Sequence, residues 1–254
     1  MVHFVYDGSF EGLLTAVFDV YEGKAERAQL FSIKTYQPDA FAERRDVLTD
    51  SVKANRVWKG LFRKLSPQGL LNVYSVYLSE RTDRETLLLA FFRRVFAESV
   101  SIEDDFSSPL IVQISQISRQ IHREKHRFEA FVRFIHIKGN IYFASIEPDF
   151  NILPLIGPHF AERYADQRWI IYDTRRQYGL YYDLQQVQEV YFEAVPDSSV
   201  LDLPSDQVEE DEALMQQLWQ VYFQSVNIIE RKNMKLHRKH LPIRYWKYLT
   251  EKKI

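Results

Sequence analysis

The sequence predicts an α+β protein: a mainly helical N-terminal lobe, then an antiparallel sheet of hairpins with helices, and a basic helical C-terminal tail. Three observations carry that reading. Apolar residues recur at helical spacing through much of the first hundred positions, short β-branched and aromatic runs flank tight turns between residues 128 and 183, and cations crowd the last 28 positions.

Residues 3–6 read as a short strand, and Asp7, Gly8 and Ser9 form a turn whose Ser caps a helix beginning near Phe10. Leu13, Leu14, Val17, Phe18 and Tyr21 then keep helical spacing. A phosphate could sit at this helix start, but the turn carries one glycine and neither Gly-rich phosphate signature, so a structural cap is the preferred reading. Residues 49–65 and 67–79 read as two helices parted at Ser66 and Pro67, since Ser caps and Pro suits the first helical position. Thr82 and Glu85 match a capping box ahead of an apolar helix around residues 87–96. The polar stretch from Glu103 to Pro109 marks a lobe boundary.

Leu110, Ile114, Ile117 and Ile121 define the next helical face, which runs into the charged residues 122–127. Residues 128–137 and 141–146 read as strands of a hairpin around Lys138, Gly139 and Asn140. Residues 154–164 look helical, and 169–172 and 180–183 read as two further strands, an arrangement without βαβ alternation. An acidic surface linker over 196–212, a helix over 214–226 and a basic tail complete the chain. The domains expected are 1–105, 106–195 and 196–254.

The 254 residues include 18 Phe and 15 Tyr and no cysteine. Aromatic packing should dominate the core, and disulfides, thiolate nucleophiles, cysteine-ligated zinc and iron–sulfur clusters are excluded. The N-terminal residues lack a basic region ahead of an apolar stretch, and every apolar run falls short of the roughly 20 residues of a membrane span, so a cytoplasmic protein is expected. The net charge of −2 hides opposed blocks: residues 177–229 hold ten acids and no Lys or Arg, whereas residues 227–254 hold nine Lys/Arg against two Glu.

Four constellations carry candidate chemistry. His122 and His126 stand four apart, as in a helical zinc site, but Glu124 is out of the metalloprotease position, and a solvated basic face is preferred. Arg119, Arg123, Lys125, Arg127 and Arg133 interleave with Phe128, Phe131 and Phe134, a mixture suited to unpaired nucleic acid or, for the rings, to a core. Asp173 ends an apolar run beside Arg175 and Arg176, where it is either a general base next to a phosphate clamp or a turn cap paired with Arg. His159 and Arg163 could line the same cavity. The densest cationic and aromatic run holds Arg231, Lys235, Arg238, Arg244, Tyr245 and Trp246, with cations for phosphate contact and rings for stacking. No cofactor and no metal is expected.

Residues 6–12 (YDGSFEG), 124–128 (EKHRF), 131–134 (FVRF), 144–154 (ASIEPDFNILP), 159–166 (HFAERYAD), 169–176 (WIIYDTRR), 227–233 (NIIERKN) and 244–249 (RYWKYL) resemble a bacterial family of unknown function labelled DNA-metabolism proteins. The resemblance spans nearly the whole chain. It implies genomic company with a radical SAM protein of DNA repair or modification, and fusion of the same domain to uracil-DNA glycosylase-like domains. It brings no established catalytic residues. The chain lacks the three-cysteine motif of a radical SAM enzyme, which would make it the companion.

The expected function is therefore an accessory role in DNA repair or metabolism: binding damaged or single-stranded DNA beside a radical SAM enzyme. The alternatives are an enzyme acting on a nucleobase or phosphodiester, with Glu124, His126 or Asp173 as acid or base, and a pure protein-interaction partner of the repair enzyme.

Overall fold

The computed structural model describes residues 1–192, 208–209, 212–225, 238 and 240–252. It is an α+β fold in two compact units, Met1–Ile121 and His122–Ile254. Among the described residues, no helix is long and apolar enough to cross a membrane.

The first unit opens with β1 (Val2–Tyr6), α1 (Phe10–Glu22), β2 (Ala28–Ser32) and β3 (Glu43–Asp46). The strands form a parallel sheet in the order β2-β1-β3, so the lobe read as mainly helical contains a βαβ unit. Its third strand had no apolar signal: Glu43, Arg44, Arg45 and Asp46 are all exposed, and backbone pairing with β1 alone defines the strand. At the start of α1, the Ser9 side chain accepts the Gly12 N–H at 2.9 Å. Asp7 accepts the backbone N–H and the hydroxyl of Ser9 at 2.8 and 2.7 Å, so a carboxylate of the chain itself occupies the ground a phosphate would need.

Helices α2 (Ser51–Phe62), α3 (Pro67–Leu78) and α4 (Arg84–Ala97) follow. Ser66 caps α3 through the Gly69 N–H at 3.1 Å, with Pro67 in the first turn as expected. The capping box ahead of α4 does not form. Asp83 holds the cap position, but its side chain pairs with Arg81 and accepts no helix N–H, and Glu85 is buried instead, accepting the Tyr6 hydroxyl at 2.8 Å and pairing with Arg84 at 2.9 Å.

Helix α5 (Pro109–Phe131) holds the division between units, after Ile121. Its apolar face continues from Ile114, Ile117 and Ile121 to Phe128, all buried, and this periodicity keeps residues 128–131 helical where a strand was expected. Only Ile135–Ile137 forms the strand β4.

The second unit is built on a five-stranded sheet of β4, β5 (Ile141–Ile146), β6 (Arg168–Asp173), β7 (Tyr178–Tyr182) and β8 (Val187–Val190), in that order. The turn at Gly139 and Asn140, both at positive φ, closes the expected β4–β5 hairpin. Strands β5 and β6 run parallel, joined through α6 (Leu153–Arg163); this crossover corrects the expectation of hairpins alone. A Cβ on Gly157 would lie 2.9 Å from a Leu180 methyl, so glycine lets α6 settle on the sheet. On that face Trp169 is fully buried, stacked on Tyr182 at 5.5 Å and met edge-on by Phe160 of α6. The other face carries the cluster of Ile135, Phe143, Ile170 and Tyr172.

Helix α7 (Glu212–Ser225) and two short 3-10 segments, Ile243–Tyr248 and Thr250–Lys252, complete the described chain. Most of the acidic stretch expected to be a linker lies outside the described residues, as do Arg231 and Lys235.

Candidate nucleic-acid interface

Side chains from three distant stretches meet at the β5–α6 loop, residues 147–152. Glu124, on the buried side of α5, accepts the backbone N–H groups of Asp149 and Phe150, each at 2.9 Å, and the Tyr245 hydroxyl at 2.6 Å. Asp173, at the end of β6, accepts the N–H groups of Arg175 and Arg176 at 2.9 and 3.1 Å and pairs with the Arg176 guanidinium at 2.8 Å. Arg176 also donates to the carbonyls of Pro148 and Asp149, and Arg175 donates to the Asp149 carbonyl. Tyr178 donates to the Asn151 side chain at 2.5 Å.

The loop's own acids take the C-terminal cations. Arg244 pairs with Asp149, and Lys247 pairs with Glu147 at 2.5 Å, where the Tyr248 hydroxyl also donates at 2.8 Å. These bonds hold the Glu147 carboxyl below its ordinary range. Burial pushes the Tyr245 hydroxyl up, and its bond to Glu124 adds to the shift. Burial likewise raises the Asp173 carboxyl against the pull of Arg176.

Glu124 and Asp173 are therefore structural acceptors. Their oxygens are engaged by backbone N–H groups and by Tyr or Arg partners, which for Asp173 matches the turn-cap and Arg-pair alternative. The third acid/base candidate, His126, is exposed and stands 3.6 Å from Glu129, which also binds Lys125 at 2.5 Å and lies 3.9 Å from His159. Burial pushes His122 below its ordinary value. Among the described residues no group of three His, Asp or Glu side chains is arranged to hold a metal.

Several expected nucleic-acid contacts are placed elsewhere. Tyr245 is buried and cannot stack on a base. Trp246 is half-buried, donates to the Leu241 carbonyl at 3.2 Å and lies under Lys252. Arg133 makes a two-point ion pair with buried Glu251, at 2.9 and 3.3 Å, and its guanidinium covers the Trp219 ring at 5.2 Å. Trp219 donates to the same carboxylate at 3.0 Å. Burial alone would raise Glu251, but Arg133 and Trp219 outweigh it and hold the carboxyl low. Arg127 lines a small cavity with Phe128, Ser145 and Tyr245, and Arg238 is exposed.

A second feature lies at the β4 end of the sheet. A groove of about 600 Å³ opens there, walled by Phe134, His136, Tyr142, Tyr164 and Trp219. His136 and Tyr142, directly opposite on β4 and β5, stack at 4.7 Å with 12° between their planes, and Tyr164 meets Phe134 edge-on at 5.5 Å. Polar groups converge with these rings: Gln167 from the loop after α6, and Glu212 and Gln216 from α7. Glu212 accepts the His136 N–H and the Gln216 amide, each at 2.9 Å, and so fixes this wall. Exposed Arg163 adjoins Tyr164, its guanidinium 5.8 Å from the ring, and exposed Lys138 follows β4. Neither has a carboxylate partner among the described residues.

The sequence did not single out Tyr142, Tyr164, Gln167 or Trp219. Tyr164 does stand inside the 159–166 motif, and Trp219 follows Met215 by one helical turn, both usable signals. The pairing of strands and helix that makes them neighbours is tertiary. No curated protein matches the chain. Residues 82–251, which include every side chain of the groove and of the loop network, match the family model of the domain of unknown function DUF4130, and the chain belongs to that family.

Proposed function

We propose that this protein is an accessory nucleic-acid-binding module that takes unpaired bases into the aromatic groove of its second unit. The observation that carries the reading is the groove itself. Its volume falls in the range of small-ligand sites, five of its wall residues are aromatic, and a few polar groups converge on it. Rings of this kind stack on unpaired bases whatever their sequence, and exposed Arg163, beside the Tyr164 ring, and exposed Lys138, two residues after His136, could meet the backbone. An accessory role is favoured over a self-contained catalytic one because Glu124 and Asp173 are occupied as caps. A radical SAM enzyme of DNA repair or modification is the partner that the sequence resemblance suggests.

The test is fluorescence anisotropy of labelled single-stranded and duplex oligodeoxynucleotides with the full chain, beside Tyr142→Ala and Tyr164→Ala. Single strands should bind more tightly, and each substitution should weaken them about tenfold or more, the usual worth of one base–aromatic stack. Equal affinity for duplex, or unchanged binding by both folded variants, would overturn the proposal.

A further inference from the structure

Two C-terminal cations, Arg244 and Lys247, are bonded to acids of the β5–α6 loop in a way that leaves both members of each pair half open to solvent. The Arg244 and Asp149 side chains are 50% and 47% exposed, and those of Lys247 and Glu147 are 55% and 42% exposed. The segment that carries the cations has anchors besides these pairs. Leu241, Tyr245 and Leu249 are buried, and Tyr245 is bonded to buried Glu124. The two charged tips can therefore exchange partners without the segment detaching. Exposed ion pairs are weak and screened by salt, whereas a polyanion that takes up a Lys or Arg gains from counterion release.

We infer that Arg244 and Lys247, with exposed Arg175 beside the same loop, form a phosphodiester-binding site that Glu147 and Asp149 hold in a self-paired state. The two carboxylates, two positions apart, stand in for backbone phosphates and are displaced when a nucleic-acid strand arrives. The inference rests on the nucleic-acid reading above but concerns a different surface, one that meets phosphates and no bases. It also accounts for the pairing of two of the C-terminal cations, Arg244 and Lys247, with acids of the loop.

The probe is an abasic oligodeoxynucleotide, which offers phosphodiesters and nothing to stack. Glu147→Gln with Asp149→Asn keeps the side-chain shapes and removes the loop carboxylates from both cations, leaving Arg244 only its 3.6 Å approach to Glu124 and its bond to the Tyr245 hydroxyl at 2.7 Å, and should tighten binding of the abasic strand roughly fivefold at low salt. The salt slope should steepen by about two phosphate contacts. Adding Arg244→Gln and Lys247→Gln to that background should abolish the gain. The control is Glu43→Gln with Asp46→Asn, which removes two charges from exposed pairs in the first unit. A gain no greater than the control's, or none at all, would overturn the inference. Loss of base-bearing single strands in Tyr142→Ala while the abasic response is absent would remove this site and leave the groove standing. An abasic gain with no effect of Tyr142→Ala would do the reverse.

Discussion

Glu124 and Tyr245, 121 positions apart, meet at 2.6 Å, with the phenol donating to a carboxylate that also closes two backbone N–H groups of the β5–α6 loop. One buried acid thus ties a long helix, a loop and the C-terminal segment together. Hydrogen bonds to charged groups contribute more than neutral ones, so Tyr245→Phe should lower stability by about 2 kcal/mol. The midpoint of urea unfolding measures it, and an unchanged midpoint would mean that Glu124 has a substitute donor.

Asp173 makes the same point from the end of β6. It is fully buried and paired with Arg176, whose side chain is 8% exposed. Asp173→Asn keeps an acceptor for the turn but removes the buried carboxylate charge from beside Arg176, and should cost up to about 3 kcal/mol. Per folded molecule, oligonucleotide binding should not change. A loss of binding at unchanged stability would instead return Asp173 to a functional role.

Acid should act through Glu251. Its carboxyl is held low in the folded chain despite burial, by Arg133 and Trp219. A carboxyl whose folded value lies below its unfolded one contributes stability above the unfolded value, about 4.3, and loses that contribution as the pH falls through the folded value. The Tm gap between wild type and Glu251→Gln should be widest near neutrality and close in strong acid. A gap independent of pH would argue that packing, rather than charge, sets the effect.

The exposed cations close in sequence to groove residues, Lys138 and Arg163, should report on salt. Lys138→Glu and Arg163→Glu should each weaken single-strand binding across sequences and reduce the slope of log affinity against log salt by about one. Titrations at several salt concentrations give the slope directly; parallel lines for wild type and variants would take these residues out of the backbone path.

The helices were legible where the signal is local. Ser9 and Ser66 cap as their neighbours dictate, and Ile114, Ile117 and Ile121 fix the face of α5. The misses share a cause. Strand β3 exists through pairing with β1 despite four exposed charged residues, and the parallel run of β5 and β6 depends on where α6 lays Phe160. Among candidate site residues, charge was legible and its compensation was not. Arg133 and Arg244 are cations in any reading, but Glu251 and Asp149, which neutralise them, lie 118 and 95 positions away. The groove rings escaped notice because Tyr142, Tyr164 and Trp219 come from separate elements, with nothing in their spacing to link them.

The carboxylate of Glu212 has a further effect at the margin of the sheet. It occupies the outward N–H of His136, while the His136 carbonyl accepts the N–H of Glu209 and Val208 bridges Ile137. An unsealed outermost strand is a template on which a second molecule can align its own backbone. Here a single acid from a helix, helped by two residues before it, closes that template. The same short strand can therefore present His136 to the groove without inviting its neighbours into fibrous or swapped assemblies.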